Sequence, residues 1–255
     1  GARAGGKCRS GHGSGGSYVA RNLAAVDRAL GELHRVVVPE IATATERRRA
    51  PVPADAPDFV QRVTAALLAG QGDLLPVSAL PPDGCFPTAT ARYEKRALAH
   101  EIPIWDPALC IDCGKCAMVC PHAAIRMKVF PEASRPAAPA DFLAKPFRSR
   151  EIDAHLLTIQ VAPDDCTGCG VCVDVCPAKR KSEAKHKAID MAPAPAHRER
   201  ERARFDAFLA IPALDPALLD PGTVKNVQTR EPLFEFSGAC AGCGETPYLK
   251  LLSQL

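Results

Sequence analysis

The feature that most constrains the fold of this 255-residue chain is a cysteine run that occurs twice. Each run has the spacing C-x2-C-x2-C-x3-C-P, and the second begins 56 residues after the first (166 − 110). The eight cysteines of the two runs are Cys110, Cys113, Cys116, Cys120, Cys166, Cys169, Cys172 and Cys176. Downstream, Ala124–Met127 is similar to Ala188–Met191 at an offset of 64, so the second half carries eight extra residues (64 − 56). The repeat predicts an internal duplication built around two equivalent cysteine loops.

The spacing within each run is the one with which a bacterial ferredoxin loop binds 4Fe–4S clusters. Three thiolates bind one cubane, and the fourth reaches the neighbouring cubane. The glycines at positions 114, 168 and 170 permit unusual backbone torsions, and the proline after each fourth cysteine fixes φ where the loop ends. The predicted ligands are therefore Cys110, Cys113, Cys116 and Cys176 for the first 4Fe–4S cluster, and Cys166, Cys169, Cys172 and Cys120 for the second.

Two other uses of these thiols are a disulfide framework and a zinc site. A disulfide framework requires a secretory route, and the chain shows no charged start followed by an apolar stretch of the signal-peptide kind. The clustered thiols therefore indicate a reducing compartment, the cytoplasm. A structural zinc site takes four ligands, usually as two C-x2-C pairs, whereas each run here carries a third closely spaced thiol. A zinc-binding interaction module stays open as the alternative to two 4Fe–4S clusters.

The composition argues against two classes of partner. Lys and Arg exceed Asp and Glu by only three (32 − 29), which argues against a strongly basic face that binds nucleic acid. No run of ~20 apolar residues is present, so no membrane-spanning helix is predicted. Only 5% of the residues are aromatic while 12 are cysteine, so metal clusters are expected to replace part of the hydrophobic core.

The remaining pattern predicts an α+β protein whose centre is a two-cluster ferredoxin-like domain with pseudo-two-fold symmetry. Apolar spacing predicts helices over 22–38 and 59–68, a strand over 156–161, and a short helix over 205–211. The predicted segments are a glycine-rich flexible leader at 1–16, a helical and loop-rich segment at 17–101, the two-cluster domain at 102–191, a linker with a solvated charge run and the short helix at 192–230, and a closing segment at 231–255.

Two further cysteines form a shorter motif near the end of the chain. Cys240 and Cys243 make a C-x2-C pair between glycines, a pattern found in redox dithiols and in halves of zinc sites. No cysteine follows them before Leu255, so a metal site here requires ligands from elsewhere. The pair alone does not decide between these uses.

Several segments resemble the pyruvate:ferredoxin (flavodoxin) oxidoreductase family in wording and in order. They are Leu75–Gly84, Phe86–Thr90, Tyr93–Arg96, Trp105–Pro107, Cys120–Arg126, Asp165–Pro177 and Phe236–Tyr248. The first three look like the EKR segment of that family, and the last is highly specific. The resemblance covers residues 20–255 and implies that the chain is an interior fragment of a longer enzyme.

The resemblance also implies a role for the closing motif. In that family the motif opens the thiamine-diphosphate-binding domain, so residues 231–255 are expected to be the truncated start of that domain. Cys240 and Cys243 would supply two ligands of a third 4Fe–4S cluster, and Glu245 would contact thiamine diphosphate. Cys85 and Cys8 match no ligand position of the family and are expected to have no metal role.

For the parent enzyme, the resemblance implies an activity and its partners. The implied enzyme oxidises a 2-oxoacid, with pyruvate as the expected substrate, and uses thiamine diphosphate, Mg and coenzyme A. Its electrons would pass through 4Fe–4S clusters to ferredoxin or flavodoxin, and the full-length chain would form a homodimer. No catalytic residue is expected within this fragment, which would not be competent alone. The alternative is a free-standing iron–sulfur electron carrier without its own catalytic site.

Three other groups of residues are weaker candidates. The charged triplet Glu94–Arg96 is expected to be a solvated face rather than a catalytic site. His122 follows Cys120 and a proline, and it could tune a cluster through a hydrogen bond, or it could simply pack or face solvent. Basic residues near the cysteine loops could steer an acidic ferredoxin or be ordinary surface charge. They are Lys115, Lys128, Lys179, Arg180 and Lys181.

Overall fold

The computed structural model describes residues 15–41, 43–45, 50–180 and 186–255. The chain divides into two units, Gly1–Arg49 and Ala50–Leu255. The predicted leader at 1–16, with Cys8, lies outside the described residues except for its last two positions. No helix in the described part of the chain has both the length and the apolar character needed to span a bilayer.

In the first unit, helix α1 covers Gly15–Ala29. The helix predicted over 22–38 is therefore wrong in its second half. Gly31 follows the last turn, and a β-branched run at 36–38 stands directly before Pro39. Valine loses side-chain entropy in a helix, and proline disfavours helical torsions in the residue before it. Apolar side chains of the helix and of the stretch after it, such as Leu23 and Val37, are exposed.

The second unit begins with the helical and loop-rich segment. A π-helical turn at Val60–Thr64 continues into α2, Ala65–Leu68, and this confirms the helix predicted over 59–68. A small core holds the segment together; its members are Val52, Ala56 and Val60, with Leu68 and Tyr93 packed against them. Short 3-10 turns follow at Gly72–Leu74, Val77–Ala79 and Thr90–Tyr93.

In the described part of the second unit, five strands form two antiparallel sheets. They are β1 (Glu101–Trp105), β2 (Ile125–Pro131), β3 (Lys145–Pro146), β4 (His155–Val161) and β5 (Ile189–Pro193). β1 pairs with β5, while β4 lies between β2 and β3. Strands from the two cysteine repeats therefore pair with each other, and the strand predicted over 156–161 is confirmed.

A short helix follows each cysteine loop. α3 covers Lys115–Val119 and α4 covers Val171–Asp174, again at the offset of 56 residues. Each helix begins directly after a glycine with a left-handed backbone, Gly114 at φ 69° and Gly170 at φ 76°. Residues other than glycine adopt this backbone only at a cost, so the two glycines allow the loops to turn into the helices.

Helix α5 covers Ala194–Ala210 and packs against β4 and β1. The solvated linker predicted from the charge run is therefore wrong, because the run lies inside this longer helix. Glu201 and Arg204 are buried, and the Arg204 guanidinium pairs with Glu201 at 2.9 Å and with Asp141 at 2.6 Å. Pairing removes most of the penalty for burying such groups, so a charged sequence can form a buried face.

Two helices and a 3-10 turn complete the chain. The turn covers Pro216–Leu218, α6 covers Val224–Val227, and α7 covers Thr246–Gln254. The main hydrophobic core joins the two sheets and α5, and it includes three cysteines of the repeats. Its larger members are Trp105, Met127, Phe130, Leu157 and Phe208, and the three cysteines are Cys116, Cys120 and Cys172.

Candidate metal centre

The two cysteine loops have matching backbone torsions. Asp112 and Gly168 occupy equivalent positions, and both have positive φ angles, 64° and 69°. Asp is one of the few residues besides glycine that adopt this conformation readily. At Gly168 a side chain is excluded for a second reason, since a Cβ there would lie 3.1 Å from the Glu101 carbonyl oxygen. The two loops therefore reach one conformation with different residues.

Backbone amides point at the first cysteine of each loop. The N–H of Asp112 donates to Cys110 Sγ at 3.5 Å, and the N–H of Gly168 donates to Cys166 Sγ at 3.4 Å. Hydrogen bonds to the charged form of a group favour that form, so these amides stabilise thiolates. Hydrogen bonds to sulfur also tune the reduction potential of an iron–sulfur cluster.

The first set of predicted ligands, Cys110, Cys113, Cys116 and Cys176, lines one cavity. Apolar side chains form much of the remaining wall, including Trp105, Ile159 and Ile189. Burial raises the pKa of the Cys116 thiol well above its usual range, and the neighbouring Cys110, Cys172 and Cys113 raise it further. Buried thiols that repel one another as thiolates require a bound cation to deprotonate, which fits a metal cluster in this cavity.

The second set of predicted ligands is Cys166, Cys169, Cys172 and Cys120. Burial raises the pKa of Cys166 to about 12, despite the Gly168 amide, and the nearby Cys120 and Cys169 contribute. Burial also raises the pKa of the Cys172 thiol well above its usual range, and Cys120, Cys166 and Cys169 raise it further. The structure thus brings Cys120, from the first run, beside the three leading cysteines of the second run. This is the neighbourhood that ligation across the two repeats requires.

The arrangement does not match a site for a single ion. Among the residues that the structure describes, no group of three or more His, Cys, Asp or Glu side chains is placed to hold one metal ion. A zinc ion draws four donors onto one atom, whereas a cubane binds each thiolate through a separate iron. The choice between the two metals therefore rests on the two sets of four thiols and on the comparisons below.

Lysine side chains donate hydrogen bonds to carbonyl oxygens at the C-terminal ends of both short helices, at equivalent positions of the two repeats. Lys250 Nζ donates to the carbonyl oxygens of Ala117 and Met118, the latter at 2.9 Å. Lys187 Nζ donates to Val173 O at 2.6 Å and to Asp174 O at 3.4 Å, positions related to the first pair by the offset of 56 residues. Each lysine places a positive charge at a helix C-terminus, where the helix dipole favours it.

The closing C-x2-C pair lies beside the second set. A Cβ on Gly242 would lie 3.7 Å from Cys169 Cβ and 3.7 Å from Val171 Cγ2. Cys240 is exposed and Cys243 is half-buried. The backbone N–H groups of Thr246 and Glu245 lower the pKa of the Cys243 thiol. The structure therefore leaves this pair open toward solvent, with thiolate-stabilising amides already in place.

Comparison with known proteins decides between the families that such sites allow. A model described as a 4Fe–4S dicluster domain matches residues 109–180, and a model described as EKR, a domain of unknown function, matches residues 45–99. A pyruvate-flavodoxin oxidoreductase of Nostoc is 50% identical over 244 residues, which are 93% of this chain and 20% of the relative. The chain belongs to the pyruvate-flavodoxin oxidoreductase family.

Two other relatives give the same result. A pyruvate-flavodoxin oxidoreductase of Rhodospirillum rubrum is 47% identical over 240 residues, covering 92% of this chain and 20% of the relative. A pyruvate:ferredoxin oxidoreductase of Moorella thermoacetica is 46% identical over 235 residues, covering 92% of this chain and 19% of the relative. The chain thus spans about a fifth of the length of the oxidoreductases that it matches.

The charged triplet Glu94–Arg96 differs in part from the solvated face predicted for it. Lys95 Nζ pairs with Asp165 Oδ2 at 2.6 Å and lies 4.3 Å from the centre of the Phe236 ring. Burial raises the pKa of Asp165, and Lys95 lowers it. Arg96 matches the prediction better, because it is 52% exposed and pairs with Glu94 at 3.5 Å. The sequence showed the triplet, but it gave no sign of the partner of Lys95.

His122 packs within the protein, which is one of the roles predicted for it. Its ring is buried, and its Nδ1 lies 3.0 Å from the carbonyl oxygen of Ser237. Because a carbonyl only accepts, Nδ1 carries the proton in this hydrogen bond. The His122 carbonyl oxygen in turn accepts from the N–H of Phe236 at 2.9 Å. His122 therefore ties the stretch after Cys120 to the closing segment.

The basic residues near the loops have different roles. Lys128 does not face a partner, because its Nζ donates to Phe208 O at 3.0 Å and Ile211 O at 2.6 Å at the end of α5. Lys115 and Lys179 are exposed, Arg180 lies 4.0 Å from Asp106, and Lys181 is outside the described residues. Cys85 is exposed, and its Sγ lies 3.9 Å from the Asp83 carbonyl oxygen.

Proposed function

We propose that this chain is the electron-relay segment of a pyruvate:ferredoxin or pyruvate:flavodoxin oxidoreductase. The observation that carries the proposal is the convergence of the first and second sets of cysteines within a matched 4Fe–4S dicluster domain. When bound, two 4Fe–4S clusters would supply one-electron redox chemistry. The chain itself supplies thiolates, amide hydrogen bonds to sulfur, and a lysine charge near each loop, buried at Lys250 and half-buried at Lys187.

The order of the sites supports a relay. The closing C-x2-C pair lies beside Cys169 of the second set, and Cys172 of the second set interacts with Cys116 of the first. Under this proposal, Cys240 and Cys243 hold part of a third 4Fe–4S cluster on the substrate side. The first set then lies on the side of the electron acceptor, ferredoxin or flavodoxin.

The finer assignments extend the same proposal to the parent enzyme. Residues 102–191 form a pseudo-symmetric two-cluster domain, and the pairing of β1 with β5 and of β2 with β4 supports this. Residues 231–255 begin a thiamine-diphosphate-binding domain in which Glu245 contacts the cofactor. The parent enzyme is a cytoplasmic homodimer that uses Mg and coenzyme A and oxidises pyruvate.

Metal and sulfide analysis after anaerobic reconstitution tests the proposal. We expect about eight irons and eight labile sulfides per chain from two cubanes. A colourless protein that retains zinc and no labile sulfide would refute the iron–sulfur assignment. In the full-length chain, pyruvate with coenzyme A should reduce the clusters, and clusters that respond to dithionite but never to pyruvate would support the free-standing carrier instead.

A further inference from the structure

We propose that the EKR segment works as a clamp between two redox sites. In this clamp, Lys95 holds the stretch at 236–243 against the loop of the second set. This stretch contains Cys240 and Cys243. The clamp itself rests on contacts in the structure. Its consequence for electron transfer rests on the proposed function, because only a relay needs a fixed gap between the two sites.

One end of the clamp is a buried carboxylate. The Asp165 side chain is 4% exposed, and it directly precedes Cys166 of the second set. Lys95 Nζ lies 2.6 Å from Asp165 Oδ2, although the two residues are 70 positions apart. The Lys95 side chain is 37% exposed, so only the carboxylate is buried, and removing Lys95 would leave that buried carboxylate without its cation.

The other end of the clamp is an aromatic ring between two cations. The Phe236 ring has Lys95 Nζ 4.3 Å from its centre and Arg126 Cζ 4.9 Å from its centre. Phe236 also has a left-handed backbone, with φ at 47°, which is unfavourable for a bulky residue. Such a conformation persists only where its surroundings fix it, and here the two cations and the His122 carbonyl do so.

The clamped stretch touches three parts of the second set. Phe236 and Ser237 bond to His122, two residues after Cys120, and Gly242 lies against Cys169. Lys95 adds the third connection, to the residue before Cys166. Arg126 holds the start of the stretch as well, through an ion pair with Glu235, so Lys95 is the attachment that reaches the residue before Cys166. The EKR segment thereby completes the alignment of the closing pair with the second set.

The backbone around Lys95 is itself anchored, as a clamp requires. The N–H of Ala97 donates to Asp164 O at 2.9 Å. From helix α5, Arg198 Nη2 donates to Ala97 O at 3.2 Å and to Ala99 O at 2.9 Å. Arg96, the neighbour of Lys95, takes no part in these contacts through its exposed guanidinium, so it offers a matched control.

Hydrogen–deuterium exchange of the cluster-loaded full chain tests the clamp. We expect Lys95→Met to increase amide exchange across 236–243 by about ten-fold or more, because local opening no longer breaks an ion pair and a cation–π contact. Lys95→Arg retains both contacts and should exchange as the unaltered protein does. Arg96→Met should also leave exchange at 236–243 unchanged. Unchanged exchange in Lys95→Met, or an equal increase in Arg96→Met, would overturn the proposal.

Two further measurements separate the clamp from its alternatives. If Lys95→Met does not fold, Phe236→Leu removes the ring while keeping every charge, and it should loosen the same stretch; no loosening there refutes the clamp. In full-length enzyme, magnetic coupling between the third and second clusters should weaken in Lys95→Met and not in Arg96→Met. If reconstitution leaves the protein without iron, and amide exchange at 236–243 still rises in Lys95→Met and not in Arg96→Met, the result would refute the proposed function and support the clamp.

Discussion

Replacing Lys250 by methionine should change both the stability of the domain and the reduction potentials of its clusters. Lys250 is 2% exposed, and its Nζ donates to the carbonyl oxygens of Ala117, Met118 and Cys120. It therefore sits where α3 ends, between a ligand of the first set and a ligand of the second. Methionine keeps most of the side-chain volume and removes only the charge and the donors.

The stability cost follows from the lost hydrogen bonds. A hydrogen bond from a charged donor contributes about 1.5–3 kcal/mol, and Lys250 makes two short ones, with the contact to Cys120 O at 3.5 Å adding little. Burial lowers the pKa of Lys250 to about 8, so removing the charge also recovers part of a desolvation penalty. We expect Lys250→Met to lower the free energy of unfolding by about 2 kcal/mol.

The change in potential follows from Coulomb's law. A unit charge about 10 Å from a redox centre, at an effective dielectric constant of about 20, shifts a one-electron potential by roughly 70 mV. Without the positive charge, the reduced clusters are less stable, so both potentials should become more negative. Lys250 interacts with Cys120 first and Cys116 second, so the cluster of the second set should shift more.

Redox titration monitored by EPR measures these potentials, and Lys128→Met is the matched control. Lys128 also donates to three carbonyls at a helix end, but the charged groups that act on it are Glu231 and Arg126. The control should lose comparable stability and leave the potentials within about 20 mV of their original values. Equal potentials in Lys250→Met and the unaltered protein would refute the electrostatic reasoning, even if stability falls as expected.

Four other changes test the remaining contacts. Cys120→Ser should damage the cluster of the second set, and loss of the EPR signal of the first set instead would contradict ligation across the repeats. Gly168→Ala should destabilise the cluster-loaded protein by at least 1 kcal/mol more than Gly70→Ala in denaturant unfolding, because both have positive φ but only position 168 has a carbonyl oxygen 3.1 Å from the new Cβ. Asp112→Ala should cost about 2–4 kcal/mol, from the strained φ and from leaving Lys145 without its carboxylate, although Lys145 keeps its bond to the Cys110 carbonyl; Asp112→Gly should recover part of this in the same assay. Lys187→Met should shift the potentials less than Lys250→Met in the EPR titration, because Lys187 is only half-buried and solvent screens its charge.

Features that depend on residues close together in the sequence were predicted, whereas features that depend on residues far apart in the sequence were missed. The loops, the strand over 156–161 and the helix over 59–68 depend on spacing within a few residues, and the structure has all of them. The predicted C-terminal end of α1 was wrong because the apolar spacing continues past Gly31 into residues that do not favour a helix. The assignment of each cysteine to a cluster stays a prediction, which the proximity of Cys120 to the second run supports.

The roles of charged residues were the hardest to predict from the sequence, because their partners are remote. Lys95 meets Asp165 across 70 positions, and Lys250 meets Ala117 across 133. A lysine that pairs inside a protein and one that faces water look the same in a sequence, because the neighbouring residues do not show which remote group the ammonium meets. The charge run of α5 shows this most clearly: Arg204 reads as solvated but is buried beside Glu201.

The placement of Lys250 and Lys187 follows from the chemistry of the site rather than from the size of the core. In the proposed function, two clusters with eight thiolate ligands would concentrate negative charge in this interior. A lysine that donates to a carbonyl next to a ligand offsets that charge and also satisfies a helix end, as Lys250 and Lys187 do at equivalent positions of the two repeats. An apolar side chain would pack equally well there and would leave both the carbonyls and the cluster charge uncompensated. The positions of these lysines therefore indicate electrostatic balance as the constraint on this interior, with a net chain charge of only +3 to supply it.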